Sequence, residues 1–187
     1  MPFIEVIDHE NSDGALREIY EDLINKRGKL AAVHMIQSLN PDSIVKHMDL
    51  YMLIMFGKSP LKRYQREMLG VIVSRTNRCQ YCVEHHSVAL QHFWKDAEKV
   101  KLLIKDFTRA GLDDTDLLLC LLAEQMTLKP HFDSKGELYR RLKAQGVDDR
   151  SLLDANLVIA YFNFVNRTVL GLGVESSPDE VGGYNYD

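Results

Sequence analysis

Arg66–Ser87 reads R-E-M-L-G-V-I-V-S-R-T-N-R-C-Q-Y-C-V-E-H-H-S, and most of the chemistry legible in this chain lies within it. Glu67 is followed by eleven residues, then by Cys79-Gln80-Tyr81-Cys82, then by His86. The apolar run Met68–Val73 fits a buried helix. Ser74–Arg78 is polar enough to turn the chain, and Asn77 is placed as the N-cap of a second helix. With the turn centred near Thr76–Asn77, Glu67 and His86 stand almost equally far from it. Two antiparallel helices joined there set these side chains opposite each other. Cys79, Cys82 and His86 follow at i, i+3 and i+7, which is one helical face. The spacing predicts an acid, a base and two thiols in one small site.

A thiol is a poor nucleophile until it ionises. The first turn of a helix carries unpaired N–H groups that favour an anion, and Arg75 and Arg78 add positive charge nearby. CxxC thiols in such settings fall to roughly 3.5–7.5 from about 8.5. His86 lies one turn beyond Cys82, within reach as a proton acceptor, and Glu67 is placed to orient it. Cys79 is placed to condense with a sulfenic acid on Cys82 and form a disulfide. Tyr81 divides between packing and a part in proton transfer. Zinc is the competing use of Cys79, Cys82, His85 and His86, but no second CxxC or HxxxH supplies a distant ligand pair. Val83 occupies the position where haem attachment needs His, and a thioredoxin-like site needs a βαβ context.

Glu-x11-Cys-x-x-Cys-x-x-x-His resembles the signature of the alkylhydroperoxidase D-like, carboxymuconolactone decarboxylase-like superfamily at Glu67, Cys79, Cys82 and His86. The segments 128–133, 140–146 and 162–173 are similar to its peroxidase-related branch. The family often carries His just before the second cysteine, where this chain has Tyr81. The resemblance implies an all-α, single-domain helical bundle spanning 1–187 that commonly assembles with itself. It implies a thiol peroxidase or disulfide reductase in which Cys82 attacks a hydroperoxide, Cys79 resolves, and His86, Glu67 and Tyr81 complete the site. It also implies an external dithiol or redox-protein reductant, a lipoyl-type dithiol among the candidates; nothing in the sequence requires a resident cofactor or metal. Two alternatives stay open: lactone or carbon-acid chemistry, which does not need a cysteine pair, and a non-catalytic redox-sensing oligomer.

Composition sets the outer bounds. The 187 residues suit one domain with a sizeable core. A hydrophobic share of 45% and a charged share of 27% are ordinary for a globular chain. The net charge of −4, with no long basic block, argues against a nucleic-acid surface. No signal-peptide pattern and no run of about 18 apolar residues is visible. Three cysteines, two of them in CxxC, suit a reducing cytoplasm better than a disulfide framework.

Helical periodicity runs through the whole chain, and seven to nine helices are expected. Leu16, Ile19, Tyr20, Leu23 and Ile24 form a stripe that Gly28 ends. Ala31–Leu39 reads as a short helix with His34 on its polar face. Asp42–Phe56 ends in L-Y-M-L-I-M-F (50–56), apolar all round and therefore buried or at a subunit interface. Leu61 opens the helix that carries Glu67, and the cysteine helix runs from about Arg78 to His92. Ala97–Ala110, an acidic start at Asp113–Asp116 before 117–126, Ser134–Ala144 and Asp148–Leu170 complete the set. Asn163, Asn166 and Arg167 are polar groups in an apolar helix that line the site or cap neighbours. Cys120 reads as a small buried hydrophobe. Residues 1–12 and 174–187 are expected to be loosely ordered.

Overall fold

The computed structural model describes residues 1–131, 135–176 and 180–184. These form nine α-helices and one 3-10 turn, with no strand among the described residues. The helices are α1 (Gly14–Arg27), α2 (Ala32–Met35), α3 (Pro41–Phe56), α4 (Arg63–Thr76), α5 (Gln80–Trp94), α6 (Ala97–Asp106), α7 (Asp114–Leu128), α8 (Lys135–Ala144) and α9 (Asp149–Leu172). The expected all-α bundle is therefore what the chain forms.

α4 is the axis. Its residues from Gln65 to Ser74 are all buried, and α5, α7 and α9 pack around it. A helix apolar on every side has to be enclosed, and Met68–Val73 meet that condition. The buried Arg66 is held by backbone alone: its guanidinium donates to the carbonyls of Ile54 (3.3 Å), Met55 (2.8 Å), Gly57 (2.9 Å) and Leu61 (3.2 Å). Last-turn carbonyls of a helix have no partner within it. Arg66 therefore closes the end of α3 and fixes that helix against α4.

Several local expectations need correction. Ala31–Leu39 yields only the single turn of α2, after which Leu39 is exposed. His34 faces a cavity instead of solvent. The 50–56 run is one-sided: Met55 is fully buried, whereas Leu53 is 70% exposed. The cysteine helix begins at Gln80, so Cys79 is its N-cap residue, and Asn77 ends α4 instead of starting α5. Arg78 between them adopts φ 58°, a left-handed conformation that turns the chain within three residues.

The ends are tied to the bundle. Phe3 N–H donates to Leu172 O at 2.9 Å, Ile7 N–H to Ser38 Oγ at 2.9 Å, and Tyr20 hydroxyl to Ile7 O at 2.8 Å. Glu180 returns to α2 and α5, as described below. Phe132, Asp133 and Ser134, and positions 177–179 and 185–187 of the tail, lie outside the described residues. No described helix is long and apolar enough to cross a membrane.

Candidate active site

The hairpin of α4 and α5 brings Glu67 and His86 together as their distances from the turn require. His86 Nδ1 and Glu67 Oε2 are 2.7 Å apart. A carboxylate only accepts, so Nδ1 carries the hydrogen and Nε2 is left as the basic nitrogen. The other oxygen, Glu67 Oε1, meets Arg63 Nη1 at 2.6 Å. Glu67 is 1% exposed. Burial works to raise its pKa, but the hydrogen bond from His86 and the charges of His86 and Arg63 outweigh it and hold the carboxyl below its usual range. Gly70 makes this packing possible: a Cβ there would lie 2.9 Å from Phe162 Cε2 and 3.3 Å from His86 Cγ. The His86 ring packs edge-on against Phe162, with centroids 4.3 Å apart.

Cys79 and Cys82 are free thiols with sulfurs 3.2 Å apart. Hydrogen bonding from Cys82 lowers the Cys79 pKa against the opposing effect of burial. The same contact, with burial and the charge on Cys79, pushes Cys82 up. The pair thus parts with one proton readily and holds the second. The arginines contribute otherwise than their spacing suggests. Arg75 turns away to Glu124 Oε1 (2.8 Å) and Ile104 O (3.2 Å), while Arg78 is exposed. The turn carrying the pair is fixed from α9: Asn77 donates to Asn163 Oδ1 (3.0 Å) and Asn166 Oδ1 (3.1 Å), and Asn166 donates to Ser74 Oγ (3.3 Å). Asn163 and Asn166 therefore hold the turn through its side chains, and Asn166 also hydrogen-bonds Cys82, which places it in the site. Arg167 folds onto Asn163 O and Oδ1. Cys120 is fully buried in the core, as expected.

Cys82, His86 and Glu67 line one cavity of about 90 Å³. His34, His47, Tyr51, Tyr161 and Phe162 line the same cavity. At its mouth, Tyr81 accepts from Val33 N–H at 3.2 Å and donates to Glu180 Oε1 at 2.5 Å. Glu180 also accepts from Ala32 N–H at 2.8 Å, so Tyr81 and Glu180 together cap α2. Burial and the Glu180 carboxylate push the Tyr81 hydroxyl far above the usual phenol range. His85 stacks on Tyr81 with centroids 4.3 Å apart. Glu84 is held by Gln80 and Ser176 and takes no part in orienting His86. Among the cavity residues that spacing alone missed are His47 and Tyr161. The single signal for them was polar side chains on apolar helical faces.

Over residues 45–123 the chain matches the Carboxymuconolactone decarboxylase family. That match spans less than half of the chain and shows a likeness to the family. The chain is 24% identical over 116 residues to the uncharacterized protein YdfG of Bacillus subtilis (strain 168), covering 62% of this chain and 78% of that one. Its fold is similar to that of an uncharacterized peroxidase-related protein from Silicibacter sp. TM1040, with TM-score 0.82 and 24% identity over 97% of this chain and 92% of the other. It is also similar to the alkylhydroperoxidase AhpD core protein from Ralstonia eutropha JMP134, with TM-score 0.85 and 19% identity over 96% and 94%. The debrominase Bmp8 shares the fold at TM-score 0.78 and 18% identity over 96% and 98%.

Proposed function

We propose that this protein is a thiol-dependent peroxidase that reduces a small hydroperoxide with the Cys79–Cys82 pair. The observation that carries the reading is Cys82, in sulfur contact with Cys79, opening on the cavity that holds the Glu67–His86 pair. Cys82, and not Cys79, faces that cavity, which supports Cys82 as the attacking sulfur. The hydrogen bond between the thiols favours the anion on Cys79, so the attack starts from the neutral pair: the Cys82 proton passes to His86 Nε2 while Cys79 keeps its own. The thiolate then attacks the near oxygen of the hydroperoxide: the S–O bond forms, the O–O bond breaks and sulfur loses two electrons. The departing alkoxide or hydroxide takes the proton from His86, whose charge Glu67 has balanced. Cys79 displaces the hydroxyl of the sulfenic acid as water, giving the disulfide. An external dithiol, a lipoyl-type molecule or a redox protein, restores both thiols by exchange. Tyr81, with its hydroxyl held by Glu180 and Val33, positions α2 and α5 and stands outside this proton path.

The test is intact mass on reduced protein given one equivalent of hydrogen peroxide, followed by thiol alkylation. Loss of two alkylatable thiols, mapped to Cys79 and Cys82 and reversible by a dithiol, is expected, with Cys82→Ser inert. Three alkylatable thiols and an unchanged mass overturn the reading. Lactone turnover that survives removal of both thiols would favour carbon-acid chemistry, and oxidation without donor-supported cycling would favour a sensor. A variant of the debrominase Bmp8 binds 2,3,4-tribromopyrrole, so a halogenated aromatic is the second electron acceptor to screen.

We also propose that the protein acts as a homo-oligomer. Leu50 and Leu53 on α3 and Leu153, Leu157 and Phe164 on α9 are exposed, which supports a second copy over these helices. Sedimentation showing a monomer at micromolar concentration would overturn that proposal.

A further inference from the structure

The cavity wall also contains a chain of polar groups that the cycle above does not use. It starts at the backbone. Gln37 Nε2 donates to Val33 O at 2.7 Å. A carbonyl oxygen only accepts, so the amide NH2 faces it, and the second hydrogen of that NH2 goes to His47 Nδ1 at 2.8 Å. Turning the amide over would set two oxygens against each other at that distance. His47 Nδ1 is therefore an acceptor. Burial keeps His47 neutral to about pH 4, so its single ring hydrogen is on Nε2. Nε2 lies 2.7 Å from the Tyr161 hydroxyl oxygen and must donate to it. The Tyr161 oxygen accepts this bond, so its own hydrogen points elsewhere. Tyr161 has no second hydrogen-bond partner among the described residues. The hydroxyl belongs to a residue that lines the cavity with Cys82.

We propose that Tyr161 is a further catalytic residue: its hydroxyl, oriented by Val33, Gln37 and His47, donates a hydrogen bond into the cavity to the oxygen that leaves when Cys82 attacks the hydroperoxide. The role rests on the peroxidase reading; the direction of the donor does not. Tyr161 does not give up its proton. Burial and the neighbouring Tyr51 and Cys82 keep its hydroxyl well above the usual phenol range. As the O–O bond breaks, negative charge grows on the departing oxygen, and a fixed donor there favours the transition state over the ground state. The proton that completes the leaving alcohol or water still comes from His86. The cavity thus holds two kinds of group: a base that opens the thiol, and a neutral donor that receives the leaving oxygen.

Two measurements on the full-length protein test this. Two-bond 1H–15N spectra of histidine-labelled protein at pH 7 are expected to show His47 as the neutral Nε2–H form. A His47 in the Nδ1–H form would direct the Tyr161 hydrogen at Nε2 and overturn the proposal whatever peroxide does. In stopped-flow, Tyr161→Phe is expected to slow oxidation by hydrogen peroxide about 10- to 100-fold, the size of a hydrogen bond to a charged group. Alkylation of the same thiols by iodoacetamide should stay within about twofold, because it forms no oxyanion. Equal peroxide rates in the two proteins, or a parallel fall in both reactions, overturn the role. Unmodified protein inert to peroxide, with His47 in the Nε2–H form, overturns the proposed function and the role together, and leaves the donor's direction standing.

Discussion

The floor of the cavity and its mouth use the same kinds of side chain for different ends. On the floor, Glu67, Arg63 and His86 form one closed set in which both carboxylate oxygens are taken, at 2.6 and 2.7 Å. At the mouth, Glu180, Tyr81 and His85 also place a carboxylate among polar aromatic groups, but two of the donors to that hydrogen-bond set are the backbone N–H groups of Ala32 and Val33. The floor set leaves a basic nitrogen over. The mouth set spends its groups on ending a helix. Tyr81, with its hydroxyl bound to Val33 N–H and Glu180, helps to end α2.

The contrast is broken most severely by Cys82→Ser, which should abolish two-thiol oxidation on the floor while leaving the mouth intact, as read by alkylation and mass. Glu67→Ala comes next. It leaves Arg63 and His86 without their shared counter-charge in a buried place and should cost about 3–5 kcal/mol in urea unfolding. A loss under about 1 kcal/mol would mean the floor set is not closed. Gly70→Ala forces a methyl group against Phe162 and His86 and should cost about 1–3 kcal/mol, with slower peroxide oxidation in stopped-flow. Tyr81→Phe, the mouth's counterpart, should cost about 1 kcal/mol and leave the peroxide rate within about twofold; a tenfold or larger fall would return Tyr81 to the proton path.

Acid sharpens the comparison along another axis. Burial lowers the folded pKa of His34 to about 3 and of His47 to about 4. In the unfolded chain both titrate near the usual value of about 6.5. Below that, the unfolded state binds protons that the folded state refuses, so stability should fall as pH drops from about 6.5 toward 4, by up to about 1.4 kcal/mol per unit for each ring. Glu67, depressed in the fold, adds a loss of the same sign only below the ordinary carboxylate pKa of about 4.3. Urea midpoints measured from pH 8 to 5 should therefore decline before any carboxylate titrates, and a flat profile would show that the two rings are solvated.

The parts of this site that follow from regular repeats were legible in the chain. Glu67 opposite His86 needed only two helices and a central turn, and the all-α fold needed only 3.6-residue periodicity. What depended on contacts between distant segments was not legible. Arg75 was read as a neighbour of the thiols, but its charge goes to Glu124, 49 residues away. His47 and Tyr161 are 114 residues apart and carry no spacing signal, yet they meet at 2.7 Å. Tyr81 stayed divided between packing and proton transfer because sequence shows its neighbours in the helix and not Glu180, 99 residues on. Cys79 was placed inside the helix, whereas the left-handed Arg78 sets it at the N-cap.

That seat for Cys79 bears on how the protein would survive an excess of its own oxidant. Cys79 is entirely enclosed, its backbone N–H is bound to Ser74 O at 2.9 Å, and its sulfur already touches that of Cys82. Under the proposed cycle, a sulfenic acid on Cys82 would meet its resolving thiol without any segment unfolding. The race between resolution and a second peroxide molecule is then weighted toward resolution, and the irreversible sulfinic acid should accumulate only at high doses. Mass spectra across a peroxide titration should show the disulfide saturating well before two oxygens are added at Cys82.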